Sequence, residues 1–177
     1  MKPRRQPLPL YGLPERAVSK GMAKLVQRSA ARLAAVQALY QMDIAGTPLP
    51  DILTEYESHW MGGDVDGQKR SEAERAFFRD NVSGVLREQR TIDPVVDDVL
   101  AQGWPLRRVE TVLRAVLRAG AYELMHRPEV PARVVVNEYV NVAGAFLDRE
   151  ETGMVNAVLD GLARRLRADE FLRPAVD

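Results

Sequence analysis

Lys24, Arg28 and Arg32 stand four residues apart near the beginning of the chain. On a helix that spacing makes a single row. A row of cations can follow consecutive phosphates of one nucleic acid strand, and each neutralised phosphate releases counterions, so the affinity falls with salt. The row is part of a wider asymmetry. Residues 1–32 hold eight basic side chains against one acid, Glu15, in a chain whose formal net charge is zero. The remainder is therefore net acidic. A cationic end on a neutral body suits a polyanion, nucleic acid foremost. A merely solvated basic face is the alternative that charge alone leaves open.

Catalytic chemistry is harder to place. His59 and His126 are the only histidines, and neither has a second ligand at metal-binding spacing. Asp97 and Asp98 are adjacent, so on a helix they point to different sides and do not form an acid/base pair. Asp64-Val65-Asp66-Gly67 starts like a calcium loop, but its glycine is at the fourth position rather than the sixth and no glutamate follows at the twelfth. No glycine-rich phosphate loop or nucleophile elbow is present. The chain has no cysteine, which excludes disulfides, thiolate zinc sites and a cysteine nucleophile. These observations favour a binding protein over an enzyme, with no cofactor.

The elements that must carry these residues read as helices. Pro3, Pro7, Pro9 and Pro14 forbid a helix in residues 1–18, which read as a flexible basic arm. Apolar residues at helical spacing then run from Met22 to Tyr40, with a stop at Gly46 and Pro48. A second helix is expected from Pro50–Asp51 through Trp60, then a glycine loop over 62–67, then a helix over 71–90. Thr91 is positioned to cap a separate short helix that ends at Gly103. Trp104-Pro105 is expected to open a strong helix whose apolar stripe runs from Leu106 to Leu124, until Pro128 stops it. Pro131 falls in the first turn of the next helix, and a last one spans about 150–167 with acids first and arginines last. Val134-Val135-Val136 is the one strand-like run, and the proline before it argues for helix. The fold class is all-α: about seven helices in two fused small bundles, 19–90 and 91–170.

At 177 residues the chain is long enough to bury a core without staples. No apolar run approaches the ~20 residues that cross a bilayer, and no apolar segment follows the N-terminal charges as in a secretory signal. The expected location is the cytoplasm, with no membrane partner.

Four segments, in order, resemble the bacterial transcription antitermination factor NusB family. They are Arg32-Leu33-Ala34-Ala35-Val36-Gln37-Ala38-Leu39-Tyr40; Val116 to Leu124, with its Leu-Arg-Ala-Gly-Ala-Tyr-Glu-Leu; Val130-Pro131 with Val136-Asn137-Glu138; and Met154-Val155-Asn156-Ala157-Val158-Leu159-Asp160. The resemblance spans 28–166. It implies a NusB-like helical fold and a non-enzymatic role: binding boxA-containing single-stranded RNA together with the ribosomal protein NusE, within the RNA polymerase antitermination complex on ribosomal RNA operons. The same fold also serves as the N-terminal domain of a ribosomal RNA cytosine methyltransferase, so an accessory role beside such an enzyme is an alternative. A helical protein–protein adaptor is another. Pairing of the free protein as a homodimer through its RNA face stays open.

Carried onto this chain, the resemblance implies an RNA face of Lys24, Arg28, Arg32, Tyr40, Arg118 and Met154. The Tyr40 ring is suited to stack on an unpaired base, a contact worth ~1–3 kcal/mol, or else belongs to the core. Arg118 is suited to a phosphate or a base face, or else to a structural ion pair. Phe146 and Glu150 are the expected NusE contacts, an apolar anchor beside a carboxylate for a basic partner; core packing for Phe146 and helix capping for Glu150 are the alternatives. The chain departs from the family in three places. Ser29-Ala30-Ala31 replaces a denser arginine cluster, Met154 stands where an aromatic is common, and Leu113 replaces a charged residue of some relatives.

Overall fold

The computed structural model describes residues 20–58, 72–100 and 104–172, with side chains from residue 27 onward. The 1–18 arm, His59, the 62–67 loop and Gly103 lie outside the described residues. Within them the chain is helical: α1 (Lys20–Ala45), α2 (Leu49–Tyr56), α3 (Glu72–Asp97), α4 (Thr111–His126), α5 (Ala132–Phe146), α6 (Arg149–Leu166) and a short α7 (Ala168–Leu172). The all-α expectation holds.

Helix α1 buries a stripe made largely of alanine, Ala31, Ala34, Ala35 and Ala38, finished by Val36 and Leu39. Small side chains let neighbouring helices approach closely. Gly46 ends the helix in the left-handed region, φ 66°, with its N–H on the Met42 carbonyl at 2.9 Å. Pro48 then caps α2, which begins at Leu49, just before the expected start.

Two sequence expectations fail in the middle of the chain. Thr91 does not cap a new helix: α3 runs unbroken through it and through Pro94. The reason is burial. Phe78, Val82, Val85, Ile92 and Val96 form one continuous core stripe, and that packing outweighs the hydrogen bond a proline removes. The expected division at 90/91 therefore falls inside one helix, and one hydrophobic core serves both halves. Nor does Trp104-Pro105 open an α-helix. Pro105 caps a 3-10 turn, Leu106–Arg108, Val109 is extended, and α4 starts only at Thr111. Leu106 is buried in the turn, its N–H donated to Asp97 Oδ1 at 2.6 Å.

Helix α4 is the axis of the molecule. Residues 115–117 and 119–124 are buried without a break, and it packs against α1, α3, α5 and α6. A helix buried over so much of its surface and packed on four neighbours belongs in the centre of a bundle. Pro131 caps α5, and Val134–Val136 are helical. Leu147 and Asp148 turn the chain into α6. A capping box fixes that start: Asp148 accepts from the Glu151 N–H at 2.8 Å, while the Glu151 carboxylate accepts from the Asp148 N–H at 3.1 Å. Arg167 closes the bundle by donating to the carbonyls of Glu123, Leu124, Arg127 and Val130, which end α4 and lead into α5.

Candidate nucleic-acid interface

The cation row does not form on the surface as its spacing suggests. Arg32 is 2% exposed. Its guanidinium donates through Nε to Glu123 Oε2 at 2.8 Å and through Nη2 to Glu123 Oε1 at 2.9 Å. Glu138 lies 3.4 Å from its Nη1. Arg32 is thus a clamp between α1, α4 and α5, and it offers nothing to a phosphate. The physical cause is helical drift: each step of four residues overshoots a full turn by roughly 40°. Between Arg28, which is half-buried, and Arg32 that rotation carries the row into the bundle. Burial works to lower the Arg32 pKa, but the hydrogen bond and charge of Glu123 more than offset it and hold the guanidinium above its ordinary value.

This buried pair extends to Tyr139. Its hydroxyl is pushed well above the usual tyrosine range, first by complete burial and then by the negative charge of Glu123. Asn81 Nδ2 donates to that hydroxyl at 3.4 Å.

Arg28 behaves differently. It is half-buried, makes no ion pair among the described residues, and holds its guanidinium 5.0 Å from the centre of the Phe77 ring. Arg32 and Arg127 approach the same ring at 5.0 and 4.8 Å. Arg127 is tied to Asp80 at 2.8 Å and to Glu129 at 3.3 Å. The Glu129 carboxyl sits below its usual range, through a backbone hydrogen bond first, then Arg127 and Arg28. Phe77 and Arg127 were not singled out from sequence, because nothing local marks residues so far apart as members of one cluster. Lys24 lies in the first turns of α1, and its side chain is outside the described residues.

Tyr40 stands at the far end of α1, twelve residues and about 18 Å from Arg28. Its side chain is 38% exposed, and Ile44, one turn on, is exposed beside it. Arg118 takes the ion-pair alternative. It grips Asp93 with two hydrogen bonds of 2.8 Å and approaches Asp43 at 3.7 Å, which ties α4 to α3 and α1. A guanidinium committed in this way has little left for a phosphate. Arg114 reinforces the same corner through Asp43 at 2.9 Å.

Met154 and Phe146 are half-buried and pack against the core from either side of the α5–α6 turn. Glu150 is exposed in the first turn of α6 and is not the cap; Asp148 and Glu151 fill that role. Leu113 is buried, so its place in the chain is a packing one. Among the described residues no cluster of metal-ligating side chains occurs and no helix is long and apolar enough to cross a membrane.

Comparisons with known proteins match this architecture. The model of the NusB family covers residues 29–164. The transcription antitermination protein NusB of Bradyrhizobium diazoefficiens is 65% identical over 150 residues, which is 85% of this chain and 91% of that protein. Among solved structures, T. maritima NusB superposes with a TM-score of 0.69 at 26% identity, over 81% of this chain and 96% of that one. A structure described as antitermination factors NusB and NusE in complex with dsRNA shares the fold, with a TM-score of 0.66 at 22% identity over 80% of this chain and 98% of that one. The four ordered motifs, the helical bundle around α4 and these matches agree: the chain belongs to the NusB family.

Proposed function

We propose that this chain is a non-catalytic transcription antitermination factor that binds boxA-containing single-stranded RNA together with the ribosomal protein NusE, in the cytoplasm, as part of the RNA polymerase antitermination complex on ribosomal RNA operons. The observation that carries this reading is the 65% identity to a protein named for antitermination across 91% of that protein's length. The same coverage disfavours an accessory domain of a methyltransferase.

Within this reading the RNA face is narrower than the sequence suggests. Arg28 supplies a guanidinium with no ion pair among the described residues and Tyr40 an exposed ring, with Lys24 on the same helix. Met154 is a weaker platform than an aromatic would be, though its thioether can cover a base face. Arg32 and Arg118 act indirectly, by fixing α1 against α3, α4 and α5. NusE is assigned to the α5–α6 turn, where Phe146 gives the apolar anchor and Glu150 an exposed acid for a basic partner.

Size-exclusion chromatography of the chain with NusE and a labelled boxA RNA tests the proposal. One ternary peak is expected, and a scrambled RNA should elute apart. A boxA RNA that elutes alone in the presence of both proteins would refute it.

A further inference from the structure

Arg133 and Arg164 are brought onto one aromatic ring from two helices. Their guanidinium carbons lie 5.3 and 4.7 Å from the centre of Phe171. Beneath them is a groove of about 180 Å³ between α5, α6 and α7, lined also by Asn137, Asn156 and Asp160. The polar lining comes in two facing rows at helical spacing, Arg133 with Asn137 on α5 and Asn156 with Asp160 and Arg164 on α6. The short Leu147–Asp148 connection sets these helices antiparallel.

The charges in the groove do not cancel. Asp160 is committed to Arg164, Oδ2 to Nε at 2.9 Å. Arg133 makes no ion pair among the described residues. One full guanidinium charge is thus left beside two exposed amides. Arginine beside asparagine is a combination that meets phosphate oxygens with one group and base edges with the other. The volume is below the ~300–1,000 Å³ of pockets that enclose a small-molecule ligand. It suits one unit of a polymer lying across the groove.

We propose that the groove between α5, α6 and α7 is a second RNA subsite, in which Arg133 and Arg164 take a phosphodiester and Asn137 and Asn156 read the adjoining base. The inference rests on the RNA-binding reading above and extends it to a face with no assigned role.

The test is fluorescence anisotropy of a boxA RNA extended at both ends, with NusE present, over a salt series. Arg133→Gln is expected to weaken binding several-fold and to make the salt slope shallower by about 0.7, the value for one single-strand phosphate contact. Arg133→Gln with Arg164→Gln should weaken binding further but change the slope by little more than the single variant, because Asp160 already neutralises Arg164. Asn156→Ala should weaken binding with the slope unchanged. Circular dichroism checks the fold; if the double variant loosens α7, the single Arg133→Gln decides. A wild-type slope and affinity in that variant, with Arg28→Gln still lowering the slope, would overturn the subsite and leave the RNA reading intact. A wild-type chain that does not bind the RNA removes both. Amide shifts of Asn137 and Asn156 that respond to a nucleoside monophosphate as strongly as to RNA would assign the groove to a free phosphate ligand, and so overturn it as well.

Discussion

Arg32 and Glu123, 91 residues apart, meet fork to fork, with Nε on Oε2 at 2.8 Å and Nη2 on Oε1 at 2.9 Å, and Glu123 is entirely buried. The pair couples the first helix to the central one at the level of Tyr139. It also explains why two motifs that look independent in sequence, the Arg32–Tyr40 segment and the Tyr122-Glu123 segment, belong to one device. Each contributes half of an ion pair that makes sense only with the other.

Breaking that pair from one side should be costly. Arg32→Ala leaves the Glu123 carboxylate buried without its partner, a change that costs about 3–5 kcal/mol. Urea denaturation is expected to show the loss as a lower midpoint. The double change Arg32→Met with Glu123→Leu should recover most of it, since two apolar groups of similar size carry no desolvation penalty. A single variant as stable as the wild type would show that the pair contributes nothing.

The Tyr139 hydroxyl gives the fold an alkaline limit. Its folded pKa is raised above the ordinary value of 10.0 by burial, so above that pH the folded state holds a proton that the unfolded chain releases. By linkage this contribution is whole below pH 10 and declines as pH rises further. Thermal melts from pH 8 upward should show stability falling beyond pH 10. Tyr139→Phe should fall less steeply, since it has no proton to lose. Identical slopes would rule the tyrosine out as the source.

Arg28 and Arg118 should separate binding from stability. Arg28→Ala removes a guanidinium with no ion pair among the described residues and is expected to weaken boxA RNA binding several-fold, while losing its contact with Phe77 should cost only about 0.5–1 kcal/mol of stability. Arg118→Ala removes the two-pronged contact with Asp93 and should cost about 1 kcal/mol of stability, with the salt slope of RNA binding kept. Anisotropy and melting on both variants check this. The reverse pattern would assign the phosphate contact to Arg118.

Much of the fold was legible because periodicity reports burial. The stripes of α1, α4 and α5 were plain in sequence, and so were the stops at Gly46 and Pro128. The failure at Thr91 has a physical cause. Thr91 and Pro94 look like boundaries to local rules, but Ile92 and Val96 are worth more to the core than the boundary is to the chain. The site was less legible. Spacing showed that Lys24, Arg28 and Arg32 lie in a row, but it did not show which way the row turns. Glu123, which decides the matter for Arg32, is a long way off in the chain. The clustering of Arg28, Arg32 and Arg127 on Phe77 depends on tertiary contacts in the same way.

Gly84 tests how closely α3 and α4 must approach. A Cβ there would fall 2.1 Å from Cζ of the Tyr122 ring, which is held by Asp80 at 3.1 Å and by neighbouring packing. Gly84→Ala improves helix propensity, yet it is expected to destabilise by about 1–3 kcal/mol through overpacking. Denaturation with Tyr122→Ala added should recover part of the loss in a double-mutant cycle. A Gly84→Ala chain more stable than wild type would mean that the helices have room to separate.

The most direct test is the affinity for boxA RNA measured with and without NusE over a salt series. The expected result is tighter binding when NusE is present, and a logarithm of affinity that falls linearly with the logarithm of salt concentration. An affinity that NusE leaves unchanged, and that does not respond to salt, would contradict the account.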